Sequence, residues 1–284
     1  MGLNPDHFPL LNIQEFSTHP SQGRDLLFHE LRGKNYIAKP HKHDFFIVIF
    51  FEKGRGEHTI DFKHYEINDQ QVHLVFPNQV HQWDIKEGTV GHQLMISRKW
   101  FEMFWSSFRY STSYYQSHPV LEVPAAICEE LLHEFRSIQA ELKETKSIFW
   151  ELVQARSKII GLLVSKVIEA NFREVERFHS NAVITNFLNL VEEHFKQERS
   201  VSFYADQLHL SANYLNVVCQ KSLNTTASSL IKDRVLLEAK RLLKVSEMSV
   251  KDIVYDLNFY DHASFTKFFK GLTAMTPSEF REDN

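Results

Sequence analysis

Two stretches of this 284-residue chain space their apolar side chains alike. The first, VSFYADQLHLSANYLNVVCQ, starts at Val201, and the second, VKDIVYDLNFYDHASFTKFFK, starts at Val250. Phe203, Tyr204, Leu208 and Leu210 correspond to Asp252, Ile253, Leu257 and Phe259 at an offset of 49. After one inserted residue, Leu215, Val218 and Cys219 correspond to Phe265, Phe268 and Phe269 at an offset of 50. Each copy reads as a helix of about eight residues, a short turn and a second helix. Ser211 and Asp261 are placed to cap the second helix of each copy. This is the layout of a helix-turn-helix unit, whose tight turn presents the second helix to a major groove. Spacing alone leaves a helical bundle with two similar hairpins equally open.

The rest of the chain changes period once. From about residue 8 to 100 the runs are strand-like: DFFIVIFFEKGRGEHTIDFKHYEI is broken by Gly54 and Gly56, and QVHLVFPNQVHQWDI carries a Pro77-Asn78 turn. Repeated short strands with turns indicate a sandwich or small barrel. From about residue 125 the period is helical. Ala126, Leu131, Leu132, Phe135, Ile138 and Leu142 mark one amphipathic helix. Phe149, Leu152, Val153, Ile159, Ile160, Leu163 and Val167 mark a second. ANFREVERFHSN, 170–181, is poor in apolar residues and reads as a linker. The expected fold class is α+β, divided into 1–124, a helical segment 125–170, a linker 171–180 and an all-α domain 181–284.

The longest apolar runs, such as FFIVIFF at 45–51, are strand-length and far short of a membrane span. The N-terminus has no basic segment followed by an apolar stretch, so no secretion signal is expected. Cys128 and Cys219 lie far apart without metal-type spacing and suit a reducing cytoplasm. No nucleophile-base-acid set or phosphate-cradling glycine loop appears, so no enzymatic activity and no cofactor are expected.

The C-terminal residues RVLLEAKRLLKVSEMSVKDIVYDLNFYDHASFTKFFKGLTAMTPSEFR, 234–281, resemble the signature of the AraC/XylS family of transcription regulators. Arg234, AKRLL at 239–243, Ile253, Phe259, Asp261, Phe265, FFK at 268–270, Thr276-Pro277 and Arg281 carry the resemblance, which spans about 181–282. The family usually has glycine where this chain has His209, Asn224, Asn258 and Ala274. Asn and His tolerate positive φ better than most residues, which leaves Ala274 as the strained position. The family's usual arginine in the second reading helix is Lys267, which forfeits bidentate pairing with guanine. Residues 181–284 hold 12 Lys and Arg against 13 Asp and Glu, a poor balance for a DNA-binding domain. Lys221, Lys232, Arg234, Lys240, Arg241, Lys244, Lys267 and Lys270 cluster in or between the two units.

The resemblance implies double-stranded DNA as partner. On the first reading helix, Leu215, Val218 and Cys219 form the buried face, and Asn213, Asn216, Val217 and Gln220 the outward one, with Lys221 beside it. Asn and Gln pair with adenine, and Val meets a thymine methyl. The second helix offers His262, Ala263, Thr266, Lys267 and Lys270. Arg234 touches the DNA backbone or braces the connecting helix, expected at about 226–244.

PHKHDFFIVIFFEKGRGEHTIDF with FPNQVHQWDI resembles the cupin-type regulatory domain of many AraC-family proteins, over about 25–97. This implies a cupin-like β-barrel with a small-molecule effector in it. His41, His43 and His81 are the candidate effector-pocket residues. Metal-binding cupins add a glutamate after the His-x-His pair, and DFFIVIFF lacks it. No metal is therefore expected, although three imidazoles can hold zinc or iron. Leu152, Ile159, Leu163 and Val167 keep one helix face, which packs on the barrel or, as the resemblance implies, on a second copy in a homodimer. Dimerisation would offset the poor net charge through linked binding. RNA polymerase is a further candidate partner, and no membrane is involved. Two other readings stay open at this point: a metal-dependent cupin enzyme, and a ligand- or partner-binding protein without DNA binding.

Overall fold

The computed structural model describes residues 10–11, 13, 25–104, 108–110, 112–143, 148–172 and 182–283. The chain packs as two units that divide after residue 175. Asn171 ends a helix, and 173–180, most of the expected linker, lies outside the described residues.

In the first unit the described strands form two five-stranded sheets, with strands numbered in chain order. One sheet runs β1 (Leu10–Leu11), β3 (Asn35–His43), β8 (His81–Ile85), β5 (Gly56–Ile60), β6 (Lys63–Glu66). The other runs β10 (Val120–Glu122), β7 (Gln71–Val75), β4 (Phe46–Lys53), β9 (Val90–Ile96), β2 (Leu26–Arg32). The β1–β3 pairing is parallel and the other pairings are antiparallel. The run at 46–51 is apolar throughout because β4 is covered on both faces. Phe46 and Phe50 meet Phe101 and Phe135 of helices, while Ile47, Ile49 and Phe51 join the core between the sheets. Gly56 has φ +123, and a Cβ there would lie 2.1 Å from the Asp84 carbonyl, so the turn into β5 requires glycine.

Among the described residues four helices complete this unit: α1 (Arg98–Phe104), α2 (Thr112–Ser117), α3 (Ala125–Glu141) and α4 (Phe149–Asn171). Helices α3 and α4 pack together, with Ile127, Leu131, Phe135 and Ile138 buried on α3 and Phe135 meeting Phe50 of the sheet. Arg156 ties them, at 3.1 Å from Glu134 and 3.7 Å from Glu141. The expected single face of α4 is split. Leu163 and Val167 are buried, whereas Leu152 and Ile159 are 37% and 41% exposed. At 100° per residue the four span an arc of about 80°, and the edge of the buried face cuts through it. The apolar stripe left in solvent is Ile148, Leu152, Ile159 and Leu162.

The second unit is helical: α5 (Ala182–His194), α6 (Val201–Gln207), α7 (Ala212–Leu223), α8 (Ala227–Val245), α9 (Val250–Asp256), α10 (His262–Thr273) and α11 (Pro277–Glu282). One core joins them, with Phe187, Tyr204, Leu215, Ile231, Ile253 and Phe265 all fully buried or nearly so. The repeat is repeated bond for bond. Leu210 N–H donates to Ala205 O as Phe259 N–H does to Val254 O, and His209 to Asp206 as Asn258 to Tyr255. The inserted residue between the matched halves is Tyr260, 98% exposed.

Candidate functional site

Ser211 caps α7 by accepting from Tyr214 N–H. Asp261 caps α10 and forms a reciprocal capping box with Ser264. Each helix ends on a left-handed residue, Asn224 at φ 54 and Ala274 at φ 64. The turns before them bend at His209 and Asn258, also left-handed. All four positions where the family carries glycine thus keep the conformation that glycine favours.

Leu215, Val218 and Cys219 are buried, which turns Asn213, Val217, Gln220 and Lys221 outward. On α10, Phe265 and Phe269 are buried, and His262, Ala263, Lys267 and Lys270 are exposed, with Thr266 half-buried beside His262. Asn216 departs from the expected outward face. It is half-buried, and its Oδ1 accepts from Ala227 N–H at 3.1 Å, at the start of α8. Its carboxamide is engaged with the connecting helix. Tyr214, Tyr255 and Tyr260 are exposed on this unit. Aromatic residues at surface positions of a helical period were the available signal for them, and sequence reasoning passed over them.

Of the two roles expected for Arg234, the contacts fit the brace. Its Nε lies 2.9 Å from both carboxylate oxygens of Glu192, its Nη1 donates to Glu238 at 3.1 Å, and its guanidinium stacks 3.8 Å from the Phe195 ring. Arg241 is buried 3.6 Å from Glu238. Burial works to raise the Glu238 carboxyl, but Arg234 and Arg241 outweigh it and hold it below the usual carboxylate range. Lys240 and Lys244 lie over the Phe280 ring at 5.7 and 5.0 Å. Half of the eight clustered cations are therefore engaged inside the unit. Lys221, Lys232, Lys267 and Lys270 are exposed.

In the first unit, period-two alternation turns His41 and His43 of β3, His58 of β5, and His81 and Trp83 of β8 inward. His73 comes from β7 of the facing sheet. A cavity of about 480 Å³ opens between the sheets. His41, His43 and His81 share its wall with Phe45, Ile47 and Trp83, so the three expected residues do meet. His58 and His73 extend the cluster. The signal for them was a lone histidine at an inward position of GEHTI and within the fully buried QVHLV.

Four of these rings form a hydrogen-bonded wire. His43 Nδ1 lies 2.7 Å from Phe45 O, His43 Nε2 3.1 Å from His81 Nε2, and His81 Nδ1 3.1 Å from His58 Nε2. His58 Nδ1 is 2.9 Å from His73 Nδ1, and His73 Nε2 is 3.0 Å from Gln71 Oε1. Gln71 is oriented by Asn68 N–H, which donates to its Oε1, and by the Glu122 carboxylate, which accepts from its Nε2. Both ends of the wire are therefore acceptors. Its five contacts need five protons, and four neutral rings supply four. Burial pushes His43 and His73 down to about 3 and holds His58 and His81 well below the ordinary histidine value. At neutral pH the rings are neutral, one contact lacks its proton, and the rings on either side of that gap donate away from it. Among the described residues no group of three His, Cys, Asp or Glu is placed to hold a metal ion. Glu122 also accepts, through its carbonyl, from Asn171 Nδ2 at the end of α4.

Comparison with known proteins agrees with both halves. Residues 25–149 match the model of the AraC-like ligand binding domain, and 204–283 match a helix-turn-helix domain model. The HTH-type transcriptional activator RhaS of Klebsiella pneumoniae (strain 342) is 22% identical over 247 residues, covering 85% of this chain and 87% of RhaS. The HTH-type transcriptional regulator YfiF of Bacillus subtilis (strain 168) is 21% identical over 268 residues, 87% of this chain and 80% of YfiF. A second B. subtilis regulator, YtdP, is 24% identical over 163 residues, but the match spans only 20% of its length. Among solved structures, ToxT from Vibrio cholerae strain SCE256 with a bound unsaturated fatty acid aligns over 92% of this chain and 96% of ToxT, at 16% identity and a TM-score of 0.43. With a ligand-binding domain model on its barrel and a helix-turn-helix model on its duplicated helical unit, the chain belongs to the AraC family of transcription regulators.

Proposed function

We propose that the chain binds operator DNA as a homodimer, under control of a small molecule held in the barrel cavity. The observation that carries this is the bond-for-bond match of the two helix-turn-helix units, which gives α7 and α10 outward faces of the same phase. On that reading Asn213, Val217, Gln220 and Lys221 face one major-groove segment and His262, Thr266, Lys267 and Lys270 another. Asn216 and Arg234 hold the connecting helix instead. Tyr260, at the exposed turn, is suited to donate to a backbone phosphate. Residues 1–124 sense, 125–170 pair the protomers, 171–180 link, and 181–284 grip DNA. The pairing surface is the exposed stripe Ile148, Leu152, Ile159 and Leu162, whose steps of four, seven and three follow a heptad seam. No helix among the described residues is long and apolar enough to cross a membrane, and both cysteines are free. Free cysteines fit a reducing compartment such as the cytoplasm. RNA polymerase is the partner through which a DNA-bound activator of this family would act.

Selection of oligonucleotides from a random pool, followed by anisotropy titration at two salt concentrations, tests the DNA reading. A specific sequence should emerge, with affinity that falls steeply with salt. Recovery of no sequence above random DNA would end it. Sedimentation of the Leu152→Glu, Ile159→Glu double variant tests the pairing surface. A folded monomer with weaker binding to a two-half-site operator is expected, and a persistent dimer would place the seam elsewhere.

A further inference from the structure

The turn of the second helix-turn-helix unit is held from outside that unit. The segment 195–199, between α5 and α6, lies against it. Arg199 Nη2 donates to Leu257 O, and the Arg199 guanidinium lies 3.6 Å from the Phe259 ring centroid. Lys196 Nζ is 2.7 Å from Asp256 Oδ2, and Gln197 O accepts from Asn258 Nδ2 at 3.3 Å. Each residue from Asp256, the last of α9, to Phe259 is thus gripped. The segment also reaches the connecting helix α8, where the Phe195 ring carries the Arg234 guanidinium. Phe259 in turn packs on Phe265 and Phe268 of α10. A chain of contacts therefore runs from α8 through 195–199 to the second reading helix.

Duplication does not account for this grip. At the offset of 49, Lys196 and Arg199 correspond to Val245 and Met248, whose side chains have neither charge nor donor. The Lys196–Asp256 pair is a minor part of it, since both side chains are 32% exposed and such pairs are worth little alone. Arg199 is half-buried, and its Nε is buried without a hydrogen bond, a cost that an apolar side chain of like length would avoid. What an apolar side chain could not supply is a donor to Leu257 O from a rigid plane stacked on Phe259.

We propose that Arg199 is a positioning residue for operator recognition: it fixes α10 relative to α7 and so sets the spacing of DNA segments that the chain accepts. The proposal rests on reading α7 and α10 as the helices that enter DNA. One base pair added between two segments moves the second by about 3.4 Å and turns it by about 35°. A locked pair of helices cannot follow that change, whereas a loosened pair can.

Two measurements on the full chain test it, and the first needs no DNA. Spin labels at Lys221→Cys and Lys270→Cys, in a Cys128→Ser background where Cys219 is buried, report the separation of α7 and α10 when labelled chains are diluted with unlabelled ones. A single narrow distance is expected with Arg199 in place. It should broaden in Arg199→Met and narrow again in Arg199→Lys, which restores a donor and a cation beside Phe259. A broad distribution with Arg199 in place would overturn the proposal, and that reading survives a misfolded Arg199→Met. The second measurement titrates the operator recovered by selection, and copies with one base pair added or removed between its two contacted segments. Arg199-containing chain should bind the altered copies about a hundredfold more weakly than the operator, and Arg199→Met about tenfold more weakly or less. A role in stability alone would weaken binding to every copy in proportion, and an unchanged ratio in folded Arg199→Met would overturn the proposal. Recovery of no operator would overturn the role in spacing together with the DNA reading, and the label distances would then show whether Arg199 still locks the two helices.

Discussion

In the helical unit Phe187, Leu215, Phe265 and Phe269 share one core with aliphatic side chains, and the buried Arg241 and half-buried Glu238 lie side by side with Arg234. In the barrel His43, His58, His73 and His81 occupy equally buried positions among Ile49, Ile60 and Trp83. One core only has to keep a surface rigid. The other keeps a string of polar rings that apolar residues of like size could replace, and it does so beside a cavity. A polar interior that costs stability and borders a void marks a site. The helical core, by contrast, carries its chemistry outside, on the exposed faces of α7 and α10.

Acid should separate the two units more than any single substitution. Unfolding returns the four wire histidines to their ordinary value of 6.5, whereas burial holds His43 and His73 at about 3. As pH falls from 6.5 toward 3 the unfolded barrel binds more protons than the folded one, so barrel stability declines, by about 1.4 kcal/mol per pH unit for each ring. It is fully present above about 6.5. If the wire itself accepts one proton, three rings remain, and the loss between pH 7.5 and 5 is roughly 4–6 kcal/mol. Among its described residues the helical unit has no comparable set. Its Glu238 is held low, so that contribution is lost only as pH falls below the carboxylate range. All four tryptophans lie at or before position 150, so tryptophan fluorescence reports on the barrel unit. Ellipticity at 222 nm should fall in two phases, the first at the pH of the fluorescence change because α3 and α4 belong to the barrel unit, and a single coincident transition would break the contrast.

Truncation of the apolar anchors should reverse the order. Phe265→Ala should cost about 3–5 kcal/mol and Leu215→Ala about 2–5 kcal/mol, through lost burial and the cavity left behind. The change should appear in helical unfolding and leave the tryptophan transition in place. A shift of both transitions together would mean that the units do not unfold independently.

The same contrast governs what the sequence discloses. Leu215, Val218 and Cys219 follow helical spacing and are buried as that spacing requires, and Ser211 and Asp261 cap where expected. The barrel strands follow from short apolar or alternating runs between turns, and His41, His43 and His81 meet at one cavity. What spacing could not disclose are partnerships between distant side chains. Arg234 reads as either a DNA-backbone contact or a brace of the connecting helix until Glu192, on another helix, is found against it. Asn216 reads as a base contact until Ala227 N–H takes its oxygen. Leu163 and Val167 share a side of α4 with Leu152 and Ile159, and the packing of α3, α1 and β10 on α4 decides where burial begins.

Arg234 supplies the next test, because the ion cluster is the helical unit's counterpart to the wire. Arg234→Ala leaves Glu192 and Glu238 short of a partner, with Arg241 still beside Glu238. The expected loss is roughly 2–3 kcal/mol of helical-unit stability, below the cost of fully orphaning a buried charge. Lys267→Ala, at an exposed position, should leave stability unchanged and weaken operator binding instead, by about 1–3 kcal/mol if its base contact is good. An Arg234→Ala protein that unfolds like the parent but binds DNA poorly would return Arg234 to the interface.

The smallest expected effect is a gain, and it compares the two repeats with each other. Asn224 and Ala274 close the reading helices with the same left-handed turn, each N–H donating to the carbonyl four residues back. An L-residue with a Cβ resists that conformation by about 1–2 kcal/mol, and asparagine less than alanine. Ala274→Gly removes this strain, against the extra freedom glycine adds to the unfolded chain, for a net stabilisation of roughly 0.5–1 kcal/mol. Asn224→Gly should gain less, since asparagine already tolerates the turn. Position 274 is exposed, so neither packing nor a lost contact complicates the reading. Chemical denaturation followed at 222 nm should therefore rank Ala274→Gly above Asn224→Gly and above the parent. If Ala274→Gly is the less stable of the two, the second repeat holds its turn by contacts of the alanine methyl, and the strain assigned to this position is absent.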